Sequence, residues 1–258
     1  MKIAIVTGAS SGLGKEFVKQ IPHLYKELDE IWVVARREDI LNDIKENSDC
    51  CIRVFAGDLQ QNLVYYQILN RLENQSPDIR MLVNAAGYGK IGTVEELAKN
   101  DPAGQLNMID VNCKALTRLT CLCLPYMSEG SRILNIASAA AFCPQSKFAV
   151  YAATKSYVLS FSRALNEELK DRRIFVTAVC PGPVDTSFFD VAGPARFTSK
   201  KALMSQPEDV VKQALVDSRA RRPVSVYGSV MKCAEATSKL FPHDLVIKAL
   251  DKMNIIQE

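Results

Sequence analysis

The 258-residue sequence predicts an α/β fold in which one doubly wound, mostly parallel sheet of seven strands carries helices on both faces. Three observations support this. Short β-rich runs alternate with helix-spaced segments along most of the chain, which is the pattern of βαβ units with right-handed crossovers. The runs are near-continuous in apolar residues, as expected of parallel strands covered on both sides. No repeat, low-complexity linker or composition break marks a second domain, so residues 1–258 are read as one unit.

The elements follow in order. "KIAIV" at 2–6 reads as the first strand and runs into "TGASSGLG" at 7–14, which opens the first helix. Pro22 removes a backbone donor inside that helical pattern and is expected to end or kink it. "EIWVVA" at 30–35 and "CIRVFA" at 51–56 supply the second and third strands, and a helix is expected over 63–72. "MLVN" at 81–84 is the fourth strand, followed by a long helical pattern over 101–124. "RILNIA" at 132–137 precedes a helix at 151–170, and "IFVTAVC" at 174–180 is the sixth strand. The stretch 182–206 is longer than ordinary connections, so it is read as a substrate loop. Its Phe188, Phe189, Phe197 and Met204 could form an apolar wall, with Arg196, Lys200 and Lys201 adding charge. A helix at 207–218 and a seventh strand, "PVSVY" at 223–227, complete the pattern.

Composition narrows the function classes. Hydrophobic residues make up 48% and charged residues 24%, enough to bury a full core. A net charge of +3 with dispersed basic residues argues against nucleic acid or an anionic membrane surface as partner. No run approaches the ~18 to 20 apolar residues of a membrane span, and the apolar amino terminus leads into glycines instead of a cleavage site. A cytoplasmic location is expected. The eight cysteines lie mostly in apolar stretches with no histidine nearby, so they read as buried thiols, and no metal is expected.

The glycine loop points to a nucleotide. Gly8, Gly12 and Gly14 sit between a strand and a helix, where backbone N–H groups and the helix N-terminus can approach a pyrophosphate. The spacing is one residue wider than G-x-G-x-x-G. At the end of the second strand, Ala35 stands where an acidic residue would bind the ribose of NAD, and Arg36 and Arg37 follow. Two cations there favour a 2′-phosphate, so the cofactor is expected to be NADP(H).

Taken together, "TGASSGLG" at 7–14, "GDL" at 57–59, "NAAG" at 84–87, "VN" ending at Asn112, Ser138, Tyr151-x-x-x-Lys155 and "PGPVDT" at 181–186 resemble the short-chain dehydrogenase/reductase family in content and order. The resemblance runs from residue 2 to about residue 190. It implies a Rossmann-type fold and a catalytic set of Asn112, Ser138, Tyr151 and Lys155. It also implies cofactor contacts from Gly8, Ser10, Ser11, Gly12, Leu13 and Gly14 in the loop, and from Asp58 and Leu59 at the adenine. Asn84, Ala85 and Gly87 would lie along the back wall, with Pro181, Gly182, Val184 and Thr186 around the nicotinamide. Ala85 stands where the family often has asparagine. A homodimer or homotetramer is the family's usual assembly.

The residue chemistry agrees with those roles. Only two histidines are present, His23 and His243, and neither lies near these motifs. A free phenol titrates near 10, and an adjacent cation lowers that by roughly 1 to 3 units, the upper end being about 4 kcal/mol. Residues i and i+4 share a helix face, so Lys155 is expected beside Tyr151 as the cation that lowers its pKa. Ser138 would polarise a carbonyl and Asn112 would hold a water in the proton relay. The implied activity is interconversion of a ketone or aldehyde with an alcohol, on a small and apolar substrate. A non-catalytic dinucleotide-binding regulator is the alternative from another class. An epimerase or dehydratase is disfavoured, because only about 70 residues follow 181–186.

Overall fold

The structure is a computed structural model and describes residues 1–188, 192 and 204–252. Seven parallel strands form one sheet in the order β3-β2-β1-β4-β5-β6-β7. They are β1 Lys2–Thr7, β2 Glu30–Ala35, β3 Ile52–Ala56, β4 Asp78–Asn84, β5 Arg132–Ile136, β6 Phe175–Val179 and β7 Val224–Ser225. Every pairing is parallel, not merely most. β7 is only two residues long, shorter than the run at 223–227 suggests, because it pairs on one side with β6 alone.

Alternation along β1 sends its side chains into two apolar layers. Ala4 and Val6 pack with Phe17 and Ile21 of α1 (Gly12–Leu24), Leu41 of α2 (Glu38–Glu46) and Val211. Ile3 and Ile5 pack on the other face with Ile68 and Leu72 of α3 (Asn62–Gln75) and with Leu119. Both faces are therefore covered, as continuous apolar strands require.

Pro22 neither ends nor splits α1, which continues to Leu24. It lies one turn from the C-terminus, where the lost donor affects only the last turn and Tyr25 N still reaches Ile21 O at 2.9 Å. The long helix expected at 101–124 is divided into α5 (Gly104–Ile109), a π-helical turn over Asp110–Ala115 and α6 (Leu116–Cys123), after the short α4 (Val94–Asn100). Beyond it lie α7 (Ala149–Glu168), α8 (Pro207–Arg219), α9 (Ser229–Leu240) and α10 (His243–Lys252). Among the described residues, no helix is long and apolar enough to cross a membrane.

The chain order reverses between β1 and β4, whose neighbours are reached by crossovers in opposite directions. In open parallel sheets this opens a crevice at the carboxyl ends of the strands.

Candidate active site

That crevice is a cavity of about 1420 Å³. Each of the first six strands delivers its following loop to the wall, from Gly8 after β1 to Pro181 after β6.

The glycine loop is held tightly against the loop after β4. Gly8 has φ +65, and a Cβ there would lie 2.9 Å from the backbone of Ala85 and Ala86. A Cβ on Gly14 would meet Gly8 O at 2.2 Å. Thr7 Oγ1 accepts from the backbone N–H of both Ala85 and Ala86 at 3.0 Å. Ser11 makes no side-chain cap on α1, which leaves the helix N-terminus open to the cavity beside Ser10, Gly12 and Leu13. Thr186 stands over Gly12, 3.5 Å from where a Cβ would be. This tight backbone cradle, with a positive helix end and free N–H groups, fits a pyrophosphate.

Arg36 and Arg37 both line the cavity, in different ways. Arg37 folds onto the glycine loop, with Nη2 donating to Ser10 O and Ser10 Oγ at 3.1 Å each. Arg36 lies exposed at the rim. Asp58 and Leu59 line the same end, with Asp58 Oδ1 accepting from Gln60 N at 2.9 Å. Ala85 and Gly87 form part of the wall, as do Pro181, Gly182 and Val184. Pro181 O accepts from Ala139 N at 2.8 Å, which ties the loop after β6 to the one after β5.

Asn84 is placed elsewhere. Its side chain turns away from the cavity into the sheet interior, where Nδ2 donates to Asn135 Oδ1 at 2.8 Å and Thr120 Oγ1 at 3.1 Å. Strand parity explains this, since Asn84 shares a face with Leu82. Its side chain is buried in the core and is not among the groups of the cavity wall.

The proposed catalytic residues converge. Tyr151 and Lys155 share one face of α7, with Lys155 Nζ 5.6 Å from the Tyr151 ring centroid. Nζ donates to Ile136 O at 2.7 Å, at the end of β5. Ser138, two residues beyond that strand, lines the cavity and hydrogen-bonds to Tyr151. Asn112 lies in the π-helical turn and is buried, not on a helix surface. Its Nδ2 donates to Tyr88 O at 2.9 Å and Thr154 Oγ1 at 3.0 Å, while Oδ1 accepts from Tyr88 N at 3.1 Å. A Cβ on Gly87 would lie 2.9 Å from Asn112 Oδ1 and 3.4 Å from Lys155 Nζ, so only glycine leaves the two groups room beside that wall.

The electrostatics differ from the expected pairing. Burial pushes the Tyr151 phenol up to about 12, with the Ser138 hydrogen bond pulling the other way. Burial also pushes the Lys155 ammonium down to about 8, against the influence of Cys113 and Cys180. Lys155 is not among the groups that shift Tyr151. Desolvation outweighs the lysine because both side chains are more than nine-tenths buried. At neutral pH the phenol holds its proton, and the amine remains mostly charged.

Apolar groups crowd the tyrosine and the cavity, and of these Phe148, Met231, Phe241 and Leu245 were not among the expected site residues. Phe148 stacks on Tyr151 with centroids 4.2 Å apart and planes at 25°. Phe188 tilts against the same ring at 5.5 Å, so one member of the expected aromatic wall reaches the site. Met231 of α9, Leu245 of α10 and Phe241 between the two helices also line the cavity. Among the rest of the expected wall, Met204 does not line the cavity, and Phe189, Arg196, Phe197, Lys200 and Lys201 lie outside the described residues. No group of His, Cys, Asp or Glu able to hold a metal occurs among the described residues, and the cysteines there are free, but only Cys123, Cys143 and Cys180 are buried as expected, while Cys51, Cys121 and Cys233 are exposed.

An open parallel sheet with a glycine cradle at its switch point and a tyrosine–lysine pair in the same crevice defines an oxidoreductase of the dinucleotide-binding class. The chain belongs to the short chain dehydrogenase family, whose sequence pattern matches residues 2–195.

An uncharacterized oxidoreductase of Staphylococcus epidermidis is 32% identical over 187 residues, 72% of this chain and 79% of that protein. A very-long-chain 3-oxoacyl-CoA reductase of Rattus norvegicus is 33% identical over 198 residues, 74% of this chain and 62% of the rat protein. A short-chain dehydrogenase from Sphingobium yanoikuyae, solved in complex with NADPH, superposes with a TM-score of 0.77 at 25% identity, covering 93% of this chain and 94% of that one. Structures of this fold are solved with NADPH in some cases and NAD in others.

Proposed function

We propose that the chain is an NADP(H)-dependent oxidoreductase that interconverts a ketone or aldehyde and the corresponding alcohol. The observation that carries this reading is the placement of Ser138, Tyr151 and Lys155 in one cavity with the glycine cradle. Gly8 to Gly14 would hold the pyrophosphate, Asp58 and Leu59 the adenine end, and Pro181 to Thr186 the nicotinamide end. Bound there, the cofactor would supply or accept the hydride.

The chain's own residues do the rest. Ser138 donates a hydrogen bond to the carbonyl oxygen and polarises it. Tyr151, protonated at neutral pH, gives its proton to that oxygen. Lys155 remains mostly charged, with Nζ held on Ile136 O, and the hydrogen bond from Ser138 is what favours the phenolate left behind. Asn112 holds the backbone at Tyr88 and the hydroxyl of Thr154, which fixes the wall against which Lys155 lies.

The NADP preference rests on Arg36 and Arg37 with no carboxylate at Ala35. A tenfold or greater preference for NADH over NADPH would exclude it. The mechanism is tested by Tyr151→Phe, which keeps the ring and removes the proton. Turnover is expected to fall at least a thousandfold, while NADPH binding, followed by fluorescence titration, stays within about threefold. Substantial remaining activity would refute the role of Tyr151.

A further inference from the structure

We infer that the inner faces of α9 and α10 form a subsite for an unbranched apolar chain, so that the substrate is an elongated ketone with an acyl-like tail. This deepens the carbonyl-reductase reading and rests on it for the position of the reacting carbon.

The cavity containing Tyr151 and Lys155 continues without a break to these two helices. They and the connecting Phe241 contribute Met231, Ala234, Phe241, Leu245, Val246 and Ile247 to its wall, joined by Thr237 and Ser238, whose hydroxyls donate back to Cys233 O and Glu235 O. The helices also carry Lys232, Glu235, Lys239, Asp244 and Lys248, yet none of these charges lines the cavity. A wall of apolar side chains with no charge suits hydrocarbon and offers nothing to a carboxylate or phosphate.

Met231 is half-buried against the cluster that holds Ala137 and Cys180, but the other apolar groups of this wall are only partly used in folding. α9 buries no residue fully, in contrast to α8, which buries Val210, Val211, Ala214 and Leu215. Phe241 is 54% and Leu245 57% exposed although both line the cavity. Exposed apolar surface on a cavity wall leaves contacts for a ligand to complete.

The tail's path is set at its inner end by Met231. A Cβ on Gly182 would lie 2.7 Å from Met231 Sδ, so the thioether rests directly on the loop after β6. That loop is bonded to Ala139, the neighbour of Ser138, which places Met231 at the junction of reacting end and tail. From Met231 to Phe241 the helix rises about 15 Å, roughly twelve bonds at the pitch of an extended chain. The volume of about 1420 Å³ also exceeds the roughly 300 to 1,000 Å³ of a single-ligand pocket, leaving space for a second molecule beside a dinucleotide.

The test is a series of straight-chain methyl ketones, from 2-butanone to 2-dodecanone, reduced with NADPH. Each methylene buried is worth about fourfold in kcat/KM, so the value should climb with length until the groove is filled. Met231→Trp blocks the inner end and Leu245→Asp charges the outer one. Each should lower the ratio of 2-dodecanone to 2-butanone kcat/KM at least tenfold, and a ratio cancels any loss of folded protein. Calorimetric binding of both ketones to cofactor-free protein provides a second readout. Length-independent turnover, or an unchanged ratio in both variants, would overturn the subsite and leave the reductase standing. If no ketone is reduced but 2-dodecanone binds and Met231→Trp weakens it, the subsite stands and the reductase reading falls. Absence of both turnover and binding overturns the inference.

Discussion

Alanine at Gly14 probes the cradle without touching the proton chemistry. Gly14 does not have the positive φ of Gly8 and Gly12, so the added methyl acts through sterics alone. It would sit 2.2 Å from Gly8 O, 2.6 Å from Gly8 C and 3.0 Å from Thr7 O, all backbone atoms that no rotamer change can move. Ordinary contact requires the first turn of α1 to move away by about 1 Å. Overpacking of this kind costs roughly 1 to 3 kcal/mol. For a chain of this size that is a fall in Tm of about 2 to 12 °C. The displaced N–H groups are those facing the cavity, so NADPH affinity should fall at least tenfold, about 1.4 kcal/mol. Thermal denaturation and fluorescence titration measure the two effects. A Gly14→Ala protein with unchanged Tm and unchanged NADPH affinity would refute the cradle.

Three further outcomes are expected. Thr7→Val strands the N–H groups of Ala85 and Ala86, each costing about 1 to 3 kcal/mol, and should lower the denaturant midpoint clearly while Thr7→Ser largely retains it. Lys155 has a folded pKa of about 8 against 10.5 when unfolded, so the folded chain binds fewer protons between those values. Its buried charge therefore weighs against folding below about pH 8, and stability should rise from pH 8 towards 10.5 more in the wild type than in Lys155→Met; parallel curves from chemical denaturation would contradict this. Arg37→Ala removes the contacts to Ser10 and a cation at the rim, and should weaken NADPH at least fivefold more than NADH in competition titrations.

Much of the fold was legible because parallel strands have a plain signature. The apolar runs at 2–6, 30–35 and 132–137 mark β1, β2 and β5 to within a residue or so, since burial on both faces leaves no room for polar alternation. The Tyr151–Lys155 pair was legible from helical spacing. Its electrostatics were not, because depth of burial depends on what Phe148, Phe188 and the loop after β5 place over the ring. The π-helical turn at Asp110–Ala115 has no pattern of its own and is accompanied by the long-range bonds that Asn112 makes to Tyr88 and Thr154. Counting parity from Leu82 already puts the Asn84 side chain in the layer of Leu82. The α9 segment "SVMKCAEATSKL" is small-residue and weakly patterned, so nothing in it announces a cavity wall.

The bonds around Asn84 have a consequence for how this chain can vary. Asn84 reaches Thr120 and Asn135, Asn135 Nδ2 reaches Ser162 Oγ at 2.9 Å, and Thr120 and Ser162 are each anchored to a carbonyl one turn earlier in their own helices. Two strands and the helices α6 and α7 are thus keyed to one another by amides and hydroxyls that have no water to fall back on. Hydrophobic neighbours can be exchanged for others of similar bulk, but these four positions tolerate change only as a group. The rotation of α7, and with it the direction in which Tyr151 points, is inherited from a polar contact at Ser162, three turns further along the same face of that helix.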